Sequence, residues 1–242
     1  MSSQNIPIGK AAKLIGVTPT TLRRWEKAGK IKPTRTPTNR RLYSREQILS
    51  IAGESTTTSA MNWAMSLSGE KPEDQYYCPT RDIFQARLDK MLGELLKSPV
   101  PEDDSYIISA ITGEIGNNSF DHNLGSWPDV MGVFFSYNID GGKARVVLAD
   151  RGQGILKTLK VVRPSLRNDQ EALQVAFTEK ISGRAPESRG NGLKFVRENV
   201  KSRKMRLEFY SGQAKVELND KMKITGPKQK IHGCLALIEL IL

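Results

Sequence analysis

Three side chains able to do chemistry recur at every fourth position within Tyr106-Ile-Ile-Ser-Ala-Ile-Thr-Gly-Glu-Ile-Gly-Asn-Asn-Ser-Phe-Asp-His122: Glu114, Asn118 and His122. Ile107, Ile108, Ile111 and Ile115 mark the inner stripe of a helix, so the spacing gathers the carboxylate, carboxamide and imidazole on a neighbouring face. An asparagine oxygen can hold magnesium, and a glutamate one turn away can orient or deprotonate a nucleophile. Solvated Glu and Asn on a helix would look the same. Asp150 forms a second group. It stands at a strand end ahead of Gly152 and Gly154, where alternate glycines let the backbone approach a ligand and the carboxylate can accept from an exocyclic amine. An ordinary turn also fits those residues. In the third group, Gly190, Gly192 and Leu193 open an amphipathic helix with Leu193, Val196 and Val200 inward. A helix N-terminus preceded by glycines suits phosphate. The segment lacks the strand of a dinucleotide fingerprint and the Lys-Ser/Thr of a P-loop.

The elements that must hold these groups follow from pattern. Val130–Ile139 and Lys143–Ala149 flank Asp140-Gly-Gly142 and predict a β-hairpin whose second strand runs into Asp150. The 242 residues include 37 Lys plus Arg and 26 Asp plus Glu, a net charge of +11. Residues 1–53 carry 11 basic residues against two acidic ones, Glu26 and Glu46, a net of +9; the other 189 hold 26 basic and 24 acidic, a net of +2. A polyanion partner is thereby implied for the head alone. Cys78 and Cys234 are far apart with no CxxC, which suggests neither a disulfide framework nor a zinc site. With no leader-like start and no long apolar run, a cytoplasmic protein that does not engage a membrane is expected.

In the head, Ile8, Ala11, Ala12 and Ile15 predict a short helix, and Thr18-Pro19 caps a second one running to about Ala28. A strand, a Pro/Asn turn and a second strand follow, before the capping box Ser44–Gln47 opens a third helix. The run Ala12–Ile31 with Arg35 and Arg40–Ser44 resembles the winged helix-turn-helix head of MerR-type regulators. Double-stranded DNA is the expected partner. Thr20, Thr21, Arg23, Arg24 and Lys27 on the second helix would face the major groove. Arg23 or Arg24 would suit guanine; Lys27 and the wing pair Arg40 and Arg41 would contact phosphate, and Tyr43 is counted with them. Residues 54–77 are read as a linker with one possible helical turn around Met61–Met65.

In chain order, the Glu114/Asn118/His122, Asp150/Gly152/Gly154 and Gly190/Gly192/Leu193 groups, followed by Gly233-Cys-Leu-Ala-Leu-Ile-Glu-Leu240, resemble the GHKL ATP-binding domain of histidine kinases, anti-sigma kinases, MutL and type II topoisomerases. The resemblance spans 78–242 and implies an α+β chain: a small winged helix-turn-helix (1–53) joined to a two-layer α/β sandwich of the Bergerat type with a mixed sheet. It implies ATP and Mg2+ as cofactors, Asn118 on magnesium, Glu114 at the base position, Asp150 on the adenine amine, and Gly152 and Gly154 closing the adenine pocket. His122 is placed with the cofactor-binding set. Gly190, Gly192 and Leu193 would pack the phosphates, and about Val161–Arg189 would be a mobile lid offering Arg184 or Arg189. The chain departs from the histidine kinases in having only His122 and His232, which argues against histidine autophosphorylation, and Lys194 stands where many kinases have glycine. Three functions are consistent with this pattern: a homodimeric DNA-binding regulator switched by Mg-ATP; an ATPase or Ser/Thr kinase brought to DNA or to a protein partner; or a degenerate body used for dimerisation.

Overall fold

The computed structural model describes residues 5–15, 17–140, 142–181, 192–227 and 229–240. The chain divides into two compact units, Met1–Thr56 and Thr57–Leu242.

The first unit follows the order β1 (Asn5–Pro7), α1 (Ile8–Leu14), α2 (Pro19–Lys27), β2 (Thr34–Arg35), β3 (Arg41–Ser44) and the start of α3 (Arg45–Met65). Pro19 opens α2 with its φ preset, and the Thr18 hydroxyl accepts from the Thr21 N–H at 3.2 Å. Gly29, at φ +71, turns the chain away after it. The antiparallel order β1-β3-β2 includes β1, a strand that the sequence pattern did not predict. Ala11, Ala12, Leu22, Ile31, Tyr43 and Ile48 form the small core, with Trp25 packed against it.

Where a linker is expected after residue 53, α3 runs on to Met65. The Ser55-Thr-Thr-Thr-Ser59 run has modest helix propensity. Burial overrides it: Ala60, Trp63 and Ala64, at i, i+3 and i+4, pack against Phe134, Val147, Ala149 and Leu235.

The second unit continues with β4 (Tyr77–Cys78), α4 (Arg81–Leu95), α5 (Glu102–Asn123), β5 (Val133–Asp140), β6 (Lys143–Asp150), α6 (Gly154–Lys160), α7 (Asp169–Thr178), α8 (Gly192–Lys201), β7 (Met205–Ser211), β8 (Ala214–Leu218), β9 (Met222–Thr225) and β10 (Cys234–Leu240). Among the described residues its sheet has seven strands in the order β4-β5-β6-β10-β7-β8-β9. Every pairing is antiparallel, which corrects the expected mixed sheet. The reason is connectivity: β5–β6, β7–β8 and β8–β9 are hairpins, and β10 inserts between β6 and β7 antiparallel to both. Alternation along β6 sends Val146 and Leu148 to the main core with α4, α5, α7 and α8, and Val147 and Ala149 to the opposite face with the end of α3. Part of the expected lid is structured. Asn168 caps α7, and Ala172, Leu173, Val175 and Phe177 are buried.

Candidate functional site

A cleft of about 700 Å³ opens beside α5 in the second unit. It gathers Glu114, Asn118 and His122 from α5, Asp150 from the end of β6, Gly154 and Ile155 from α6, and Gly192 and Leu193 from α8. The three groups read from sequence therefore meet around one cavity. Arg184, Arg189 and Gly190 lie outside the described residues.

On α5 the Asn118 amide N–H donates to Glu114 Oε1 at 3.1 Å. That bond orients the carboxamide and leaves its oxygen for another partner. The start of α8 presses on the same carboxylate: a Cβ at Gly192 would stand 1.8 Å from Glu114 Oε1. Glycine at 192 is what lets α8 begin beside Glu114.

Asp150 is buried at the floor of the cleft. Its Oδ2 accepts from the Ser119 hydroxyl at 2.8 Å and its Oδ1 from the Gly152 N–H at 2.8 Å. Burial pushes its carboxyl above the ordinary value, against the pull of these donors. A carboxylate has about four acceptor positions, so the Ser119 and Gly152 donors leave acceptor capacity for a group entering the cleft. The Cys234 thiol on the same wall is pushed well up by burial and stays protonated.

The turn after Asp150 is fastened to the end of α5. The Gln153 N–H donates to Asn123 Oδ1 at 2.7 Å and its side-chain amide to the His122 carbonyl at 3.0 Å. Gly152 does not line the cleft; a Cβ there would stand 2.0 Å from the Asn123 amide nitrogen, so this glycine lets the turn lie against α5. Gly154 does line it, at φ +74, and the Ile155 N–H donates to Ser211 Oγ at 2.9 Å. Ser119, Asn123 and Ser211 were not singled out from sequence. Ser119 and Asn123 continue the α5 face one residue beyond Asn118 and His122, a signal open to helical spacing, whereas Ser211 arrives from β7 with none.

In the first unit, Thr20, Arg23, Arg24 and Lys27 are exposed at i, i+3, i+4 and i+7 along α2 and form one polar, basic stripe. Thr21 is half-buried, its hydroxyl 3.0 Å from that of Thr18. Arg40 is exposed at the wing tip, where Asn39 takes φ +60 and the Thr36 N–H donates to the Arg40 carbonyl at 3.0 Å. Arg41 differs. Its Nε donates to Glu26 Oε2 at 2.6 Å, and Arg35 reaches the same carboxylate at 3.2 Å, so these two arginines brace the wing on α2. They hold the Glu26 carboxyl below its ordinary value, Arg41 contributing most. Tyr43, expected among the DNA contacts, is a core residue: its place on β3 sends the ring inward among Leu22 and Ile48, with no exposed surface.

Among the described residues, no group of three or more His, Cys, Asp or Glu side chains is placed to hold a metal ion, and no helix is long and apolar enough to cross a membrane. Residues 7–43 match the family model of the MerR family regulatory protein. No curated protein matches the chain. The first unit thus carries a MerR-family helix-turn-helix, which suggests a DNA-binding transcription regulator.

Proposed function

We propose that the chain is a DNA-binding regulator whose second unit, a GHKL-type body, binds Mg-ATP and uses nucleotide occupancy to switch DNA binding or assembly. The observation that carries this reading is the convergence of the Glu114/Asn118/His122, Asp150/Gly154 and Gly192/Leu193 groups on one cleft. Asp150 retains acceptor capacity for the adenine amine after its donors from Ser119 and Gly152. Asn118, its amide N–H tied to Glu114, would offer its oxygen to a cation. A triphosphate supplies the remaining oxygens of such a site, so a single protein ligand is consistent with the lack of a carboxylate cluster among the described residues. Magnesium, when bound, would neutralise phosphate charge. Ile155, Leu159 and Phe209 offer apolar wall for a purine.

In the first unit, the α2 stripe would enter the major groove, Arg23 and Arg24 reading bases and Lys27 and Arg40 holding phosphates. A homodimer on paired half-sites would be the working form. The cellular setting proposed is the cytoplasm.

The test is calorimetric titration of the full chain with Mg-ATP, paired with duplex binding with and without nucleotide. Binding that Asp150→Ala and Asn118→Ala abolish, together with a nucleotide-dependent duplex affinity, is the expected result. A chain that binds no Mg-ATP overturns the reading and leaves the body as a dimerisation element. The position of Glu114 in the cleft, one turn from Asn118, favours a second reading as an ATPase or protein Ser/Thr kinase. Phosphate release or partner labelling that Glu114→Ala removes while ATP binding survives would select it.

A further inference from the structure

Arg151 follows Asp150 directly, is fully buried, and does not line the cleft. Its guanidinium works in two directions. Nε donates to both oxygens of Asp129, at 3.1 and 3.0 Å, and Nη2 to Oδ2 at 2.6 Å. Nη1 donates to the main-chain carbonyls of Trp63, at 2.5 Å, and Ser66, at 2.9 Å. Trp63 lies in the last turn of α3, where carbonyls have no helical partner and a cation is favoured. The guanidinium carbon also stands 6.0 Å from the Trp63 ring centroid.

A second path reaches the same turn. The His232 N–H donates to the Ala64 carbonyl at 2.7 Å. The next residue, Gly233, abuts Asp150 so closely that a Cβ there would stand 2.3 Å from Asp150 Oδ1. Chain on both sides of Asp150, by sequence and by contact, therefore ends on the terminal carbonyls of α3. Beyond the helix, Gly69 presses on Asp129, where a Cβ would stand 2.6 Å from its Cγ.

Only the Arg151 end of this ion pair is buried, the Asp129 side chain keeping solvent contact, and such a pair is a poor device for stability alone, because an apolar side chain of similar volume at 151 serves as well or better. What a guanidinium adds is direction: a rigid fork that fixes a carboxylate and two carbonyls at once, which lysine cannot do. The apolar contacts of Ala60, Trp63 and Ala64 with the sheet hold α3 down without fixing its register against Asp150.

We infer that Arg151 is a positioning residue that ties the terminal turn of α3 to the Asp150 floor of the cleft, so that an occupant hydrogen-bonded to Asp150 shifts that turn. This rests on the nucleotide reading above. Trp63 is then a built-in reporter of the cleft.

The experiment follows Trp63 emission in the full chain carrying Trp25→Phe and Trp127→Phe, titrated with Mg-ATP beside calorimetry. The expected result is a saturable change in emission with the same midpoint as binding. Arg151→Lys, its folding checked by melting, should keep ATP affinity within about threefold and lose the Trp63 response. ATP binding with a silent Trp63 overturns this inference and leaves the proposed function standing. So does an unchanged response in Arg151→Lys. Absence of ATP binding overturns both.

Discussion

Asp150 carries two opposed demands, burial and ionisation. Burial raises its folded pKa above the unfolded one, so folding takes up a proton; its stabilising contribution is full at low pH and is lost as pH rises through the folded value. Asp150→Asn removes that titration. The melting temperature of the native chain minus that of the variant should therefore fall as pH rises from about 4 toward neutrality; a flat difference would show that the carboxylate is not strained by burial. Asp129, held below its ordinary value chiefly by Arg151, acts with the opposite sign: its contribution is present above the usual carboxylate range and lost as pH falls through its lowered folded pKa. Gly192 separates fold from function in another way. A Cβ there meets the carboxylate end of Glu114 rather than backbone, so the side chain can swing aside by giving up its bond from Asn118, and alanine gains up to about 1 kcal/mol of helix propensity over glycine. For Gly192→Ala we expect an unchanged or raised melting temperature with weakened Mg-ATP binding or turnover; a lowered melting temperature with full binding would refute this account of the glycine.

In the winged head the informative contrast is between adjacent arginines. Arg40 is exposed, whereas Arg41 is paired with Glu26 at 2.6 Å and half-buried. A cation already neutralised by a carboxylate releases few counterions when DNA arrives. Arg40→Ala should therefore lower the salt slope of duplex binding by about 1, and Arg41→Ala should leave it nearly unchanged while loosening the wing. Equal slope changes for the two would mean that Glu26 releases Arg41 on DNA. The helix α3 teaches a related lesson: serine and threonine at 55–59 disfavour it locally, and three residues, Ala60, Trp63 and Ala64, extend it by finding an apolar surface on β5, β6 and β10.

The proposal that the two units bind duplex and nucleotide leads to a linkage prediction for the whole chain. If Mg-ATP changes duplex affinity by some factor, duplex must change ATP affinity by the same factor. Titrating ATP with and without saturating duplex measures the second factor, and the two should agree. Unequal factors would point to a change of oligomeric state between the two experiments. Saturating ATP should also stabilise the second unit, by about 2.7 kcal/mol at a hundredfold excess over Kd, read as a raised melting temperature.

Helical period, capping residues and glycine turns are local, and they were enough to predict α1, α2, the α5 face carrying Glu114 and Asn118, and the hairpin ending at Asp150. Charge partition likewise singled out the head before any fold was known. Other features depend on partners distant in sequence. The all-antiparallel sheet follows from β10 entering between β6 and β7, and Tyr43 is core because β3 turns it toward Leu22. Ser119 meets Asp150 across 31 residues and Arg151 meets Trp63 across 88, separations that no local spacing encodes. Neighbours along the chain fix which groups share a helix face or a turn, and packing of distant segments fixes which of those faces meet.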